Sequence, residues 1–144
     1  MCIRDRSIIG RIKKGKYTDS VDRLRDMYHR NLDTLFDIQK RQIPVFTIAG
    51  NFDEQMNLIS YSGYLFFEIK YLRPDKMKDV RALLEKNPYI FALFKNTLGL
   101  GLCFIVRAEV LRAHHEKIFN KAHKYFEKSL GIDRIRKDLS LIHI

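Results

Sequence analysis

The stretch Tyr64-Leu65-Phe66-Phe67-Glu68-Ile69-Lys70-Tyr71-Leu72 is apolar at nearly every position, the pattern of a central strand covered on both faces. Behind it, Pro74 with Asp75 beside it opens a helix whose inner stripe is Met77, Val80, Leu83 and Leu84 and whose stop is Asn87-Pro88. Tyr89 to Phe94 then reads as a strand. The connector Lys95-Asn96-Thr97-Leu98-Gly99-Leu100-Gly101 leads to Leu102-Cys103-Phe104-Ile105-Val106-Arg107, a second strand that should pair with the first as a hairpin. A last helix, from about Leu111 to Leu130, buries Leu111, Ile118, Ala122 and Tyr125 and ends at Gly131, a usual residue just past a helix. Strand, helix, strand, strand, helix predicts an α+β fold with a ferredoxin-like, or RRM-like, βαββα(β) core that lacks its last strand.

Upstream, Val21, Leu24, Tyr28, Leu32 and Leu35 recur at helical spacing, with Thr18, Asp19 and Ser20 as N-caps and Pro44 as the stop. One long helix or two short ones would fit. Val45 to Phe52 is a short strand running into a turn at Gly50-Asn51, and Ser60-Tyr61-Ser62-Gly63 is a second turn. A length of 144 residues allows one domain, and 46% hydrophobic with 12% aromatic residues excludes wholesale disorder. No apolar run approaches the roughly 18 residues of a membrane span, and no secretory signal is visible, so the expected compartment is the cytoplasm. Cys2 and Cys103 are too few for a disulfide scaffold or a four-cysteine zinc site, and Cys103, inside an apolar strand, reads as a buried core residue.

The two ends carry a separate signal. Met1-Cys2-Ile3-Arg4-Asp5-Arg6 and Leu139-Ser140-Leu141-Ile142-His143-Ile144 can be encoded by DNA strands that are reverse complements of each other. They resemble a transposase adapter from sequencing libraries translated in both directions, which leaves 7–138 as a single natural segment and 1–6 and 139–144 as artefact expected to pack against nothing. Removing the ends takes away two arginines and one aspartate and moves the net charge only from +10 to +9. A charge of that size suits a polyanionic partner, or a solvated basic surface.

Asn57-Leu58-Ile59-Ser60-Tyr61-Ser62-Gly63 before an apolar strand resembles the VirE-type N-terminal domain of bacterial mobile-element proteins, grouped with the primase-polymerase superfamily. Further features agree in order: Ile12 through Lys16 with Leu24-Arg25, Gln42-Ile43-Pro44, Thr47 to Phe52, Asn87-Pro88-Tyr89, Gly99-Leu100-Gly101-Leu102, His115 with Phe119, and Tyr125 with Gly131-Ile132-Asp133. The resemblance implies a metal-dependent nucleotidyltransferase core whose central strand presents an Asp-x-Asp pair to Mg²⁺ or Mn²⁺. It also implies nucleic acid or nucleotide as the partner, and C-terminal helicase-like or other domains in a full-length protein. Here the two acid positions hold Glu68 and Lys70, so the one metal ligand and catalytic acid left is Glu68, with an ammonium beside it. The family's Ser-Pro-Ser-Gly-x-Gly-Leu-Lys turn reads Asn96-Thr97-Leu98-Gly99-Leu100-Gly101-Leu102-Cys103, with the hydroxyls and the lysine gone. Phosphate contacts would then fall to Lys95, to Arg107 and to backbone amides around Gly99 and Gly101.

Lys117, Lys121, Lys124 and Lys128 recur at helical spacing as one basic stripe, either a solvated face or a nucleic-acid contact. His114-His115 and His123 have no second cluster at ligand spacing, and no Ser-His-Asp or Cys-His arrangement is supported. Three readings remain: a primase-polymerase-like domain with degraded catalysis that still binds nucleotide or DNA, an active metal-dependent nucleotidyltransferase, and a protein-interaction module.

Overall fold

A computed structural model describes residues 9–42, 45–46, 48, 50–52, 58–108, 112–133, 135–136 and 142–143. Expectations placed on residues 1–6, on Ile43-Pro44, Thr47, Ala49, Asn57 and Leu111, and on residues 139–141 and 144 lie outside the described residues.

A helical turn at 9–13 (α1) precedes α2 (Thr18–His29) and α3 (Asp33–Gln42). The upstream pattern thus resolves into two helices, separated where Asn31 takes a left-handed φ of 55°. The strand expected over Val45–Phe52 is divided into β1 (Val45–Phe46) and β2 (Gly50–Phe52), so Gly50 and Asn51 lie in a strand and not in the expected turn, and β2 pairs antiparallel with β3 (Leu58–Tyr61). Ser60 and Tyr61 belong to β3, so the second turn narrows to Ser62-Gly63, where Gly63 has φ 76° and the Ser62 hydroxyl donates to the Ile48 carbonyl.

Next come β4 (Tyr64–Ile69), α4 (Pro74–Glu85), β5 (Ile90–Lys95), β6 (Leu102–Arg107), α5 (His115–Leu130), β7 (Ile135–Arg136) and β8 (Ile142–His143). Four strands form one antiparallel sheet in the order β5-β6-β4-β7. Two strands in the middle, the first and third of the βαββαβ unit, make this the ferredoxin-like order. The last strand, expected to be missing, begins as the two-residue β7, held by Glu68↔Arg136 and Ile69↔Ile135.

Alternation along β4 separates the two sheet faces. Leu65, Phe67 and Ile69 are buried against Val80 and Leu84 of α4 and Phe119 and Phe126 of α5, with Leu102, Phe104, Val106 and Ile135 completing the core. Phe67 lies 5.2 Å from Phe104 and 4.9 Å from Phe119, ring to ring. Tyr64, Phe66 and Glu68 point the other way, where Ile105 and Ala92 pack with Ile9 of α1 and Ile48 in a second, smaller cluster. Covering of both faces therefore holds, with unequal layers.

Both helices on the main face differ in phase from the expected stripes. On α4, Val80 and Leu84 are buried but Leu83 is half exposed, because it stands a helical step outside the 77, 80, 84 line. On α5 the buried set is Phe119, His123 and Phe126, with Ile118 and Ala122 partly covered. Tyr125, expected in the core, is 47% exposed. The helix starts at His115 after a 3-10 turn, Arg112–His114, and ends at Gly131 with φ 62°, in the conformation glycine favours. The expectation that 139–144 packs against nothing is corrected at its end, since β8 pairs with β1 through Val45↔His143 and Phe46↔Ile142. Among the described residues no helix is long and apolar enough to cross a membrane.

Candidate functional site

Glu68 sits one residue from the end of β4, on the sheet face turned away from α4 and α5. Its neighbour in sequence, Ile69, is wholly buried, whereas the Glu68 side chain keeps 16% of its surface in water and that of Lys70 keeps 41%. The Lys70 ammonium stands 3.8 Å from Glu68 Oε2, so the two side chains share one face as the strand period requires. Asn96 Nδ2 donates to Glu68 Oε1 at 3.3 Å. Both carboxylate oxygens thus face donors, and one of them faces a positive charge.

A divalent cation needs several oxygen ligands of net negative charge. At this carboxylate the second acid position supplies an ammonium, and among the described residues no group of three His, Cys, Asp or Glu is placed to hold a metal. Among the described residues, those around Glu68 do not fit Mg²⁺ or Mn²⁺.

Asn96 is 7% exposed and organises the hairpin turn as well as holding Glu68. Its amide donates to the Gly101 carbonyl at 3.0 Å, its carbonyl accepts from Gly99 N at 2.9 Å, and its Oδ1 accepts from Leu100 N at 3.1 Å. Turn amides that would cradle a phosphate are therefore already engaged at Gly99 and Leu100. Gly99 has φ 73°, and a Cβ on Gly101 would stand 2.0 Å from the Ile69 carbonyl oxygen. Close approach of this turn to the end of β4 gives the two glycines their place in the fold.

Arg25 of α2 reaches the same turn from far away in the chain. Its Nε donates to the Thr97 carbonyl at 3.0 Å and its Nη2 to the Asn96 carbonyl at 3.3 Å, while Nη1 meets Asp22 Oδ1 at 3.2 Å. Between α2 and the β5–β6 turn lies a cavity of about 190 Å³. Tyr17, Asp22, Arg25, Lys95 and Thr97 give it a polar side, and Ile12, Val21, Phe94 and Cys103 an apolar one. Burial pushes the Cys103 thiol well above its ordinary pKa, which keeps it protonated and inert.

The other expected site residues lie elsewhere. Lys95 lines the cavity, but Arg107 ends β6 opposite Tyr64, four residues along the strand from the Glu68↔Cys103 pair and hence roughly 14 Å from it. Lys117, Lys121, Lys124 and Lys128 are all exposed on α5, across the sheet from Glu68. Sequence reasoning missed Asn96 and Arg25 as organisers of the turn. It also missed two imidazole pairings. Tyr61 Oη lies 2.5 Å from His115 Nδ1, with burial raising the tyrosine pKa and lowering the histidine pKa. Buried His123 donates from Nε2 to the Ile135 carbonyl at 2.8 Å, tying α5 to β7, and its Nδ1 faces Glu127 Oε2 at 3.2 Å.

An α+β domain of ferredoxin-like strand order, with a carboxylate and an ammonium paired on its central strand, is the class of molecule these features define. Residues 38–141 match the family described as BT4734-like, N-terminal domain, and the chain belongs to that family. No curated protein and no solved structure matches it.

Proposed function

We propose that this BT4734-like domain is a primase-polymerase-type module of a bacterial mobile-element protein, akin to the VirE-type N-terminal domains, that binds nucleic acid or nucleotide in the cytoplasm without catalysing nucleotidyl transfer. One observation carries the reading: the Lys70 ammonium stands 3.8 Å from Glu68 where a second metal-binding acid would be needed. A two-metal clamp works by collecting negative ligands around the cations, and an ammonium in that shell opposes their binding. The same ammonium favours a phosphate. A net charge of +10 adds a long-range attraction for polyanions.

The test is primer synthesis on a single-stranded template with nucleoside triphosphates and Mg²⁺ or Mn²⁺. No synthesis is expected from the wild type, and Lys70→Asp should raise Mn²⁺ affinity measured by calorimetry. Template-dependent synthesis that disappears in Glu68→Ala would overturn the reading in favour of an active nucleotidyltransferase.

A further inference from the structure

Deepening the nucleic-acid reading, on which it rests, we propose that the outer face of α5 together with Tyr89 and Tyr125 is a track for single-stranded nucleic acid, its lysines holding phosphates and its tyrosines stacking on bases. Lys117, Lys121, Lys124 and Lys128 are all exposed and lie on one line of the helix. From first to last they span roughly 16 Å along the axis. Of the two acids on the helix, Glu127 has its Oε2 3.2 Å from His123 Nδ1, and Glu116 is exposed next to Lys117, off the lysine line. The stripe therefore sets four cations on one line, with the two acids beside that line and not on it.

Beside it stand two tyrosines that the core does not claim. Tyr125 follows Lys121 by one helical turn and precedes Lys128 by three residues, so its ring flanks the stripe. It is 47% exposed, and Tyr89, from the turn between α4 and β5, is 58% exposed. The rings meet edge to face, 6.3 Å apart at 88°. Asn87 fixes both: its Oδ1 accepts from the Tyr89 amide at 3.0 Å, and its Nδ2 donates to the Tyr125 hydroxyl at 3.1 Å. Burial does not explain a pair held this firmly with about half of each ring left in water.

Flat aromatic faces next to a row of cations match a partner that alternates planar bases with phosphates. A single strand can turn its bases onto the rings. In a duplex the bases are stacked inside, and only the phosphates reach the lysines. An acidic polypeptide would use the lysines and have no need of the rings.

The experiment measures fluorescence anisotropy of a labelled oligothymidylate, its duplex, and polyglutamate with the full chain. Tyrosine emission is unmasked because the chain has no tryptophan, and the part of the quenching lost in Tyr89→Ala and Tyr125→Leu assigns it to these two of the seven tyrosines. Quenching of that emission by the single strand is expected. Tyr89→Ala and Tyr125→Leu should each weaken single-strand binding by about tenfold, and Tyr125→Phe should restore it. The duplex should bind more weakly and be indifferent to the tyrosine changes, whereas Lys121→Glu with Lys124→Glu should weaken both. If Tyr125→Leu does not fold, Tyr89→Ala, at the more exposed ring, decides alone. Unaltered single-strand affinity in the folded tyrosine variants overturns the stacking track while leaving the nucleic-acid reading in place. Polyglutamate binding that depends on the tyrosines overturns the choice of partner. No binding of either oligonucleotide by the wild type overturns the track and the nucleic-acid half of the proposed function, leaving free nucleotide as the ligand.

Discussion

Gly101 shows most directly how little room surrounds the candidate site. A methyl group there would meet the Ile69 carbonyl oxygen at 2.0 Å, a backbone atom that moves only if β4 moves. Gly101→Ala should therefore cost roughly 2 kcal/mol or more of stability and separate Glu68 from Asn96, read as a lowered urea midpoint. An unchanged midpoint would mean that the turn does not press on β4. A second residue-scale effect concerns pH. Burial lowers the His115 pKa below its ordinary 6.5, so its contribution is fully present above that value, where folded and unfolded chains both carry neutral rings. As pH falls below 6.5 the unfolded chain takes up the proton first, and stability is lost until the native ring also titrates. His115→Gln should flatten the drop in urea midpoint between about pH 7.5 and pH 5.5 relative to wild type. Equal drops in both proteins would place the pH dependence elsewhere.

At the scale of elements, β4, β5 and β6 are legible because a buried strand needs a run of apolar residues, and each run here has a glycine or proline just before it. Helix phase is harder, since Tyr125 and Phe126 are equally apolar as letters and only the facing Phe67 and Phe104 decide which one is covered. Arg25 could not be read as part of the site, because its partners Asn96 and Thr97 lie 71 and 72 residues away and nothing local announces them. Glu68 and Lys70 were readable as a pair because the strand period alone puts them on one face. A two-residue β7 lies at the limit of what a pattern can reveal. The β1–β8 pairing is as short, and on the β8 side Ile142 alone carries a strand signal. With so small a ladder, deleting residues 139–144 should change stability by less than about 1 kcal/mol, measured by thermal melting. A larger loss would give β8 a structural place and tell against the adapter reading of that end.

Across the whole molecule the sheet separates two charged regions: the pair Glu68 and Lys70 with Arg25 and Lys95 near one face, and the α5 stripe beyond the helices on the other. One short oligonucleotide cannot cover both, so the salt dependence of binding counts the contacts of one region at a time. Each phosphate neutralised on a single strand contributes a log–log slope of roughly −0.7, and four stripe lysines in contact would give about −3. Lys121→Glu with Lys124→Glu should flatten that slope by about one to two, with little effect on folding because both side chains face water. Lys95→Glu, in the other region, should leave it nearly unchanged. A slope that responds to Lys95 and ignores the stripe would move the phosphate contacts to the Glu68 face, and the lysines of α5 would then be a solvated surface.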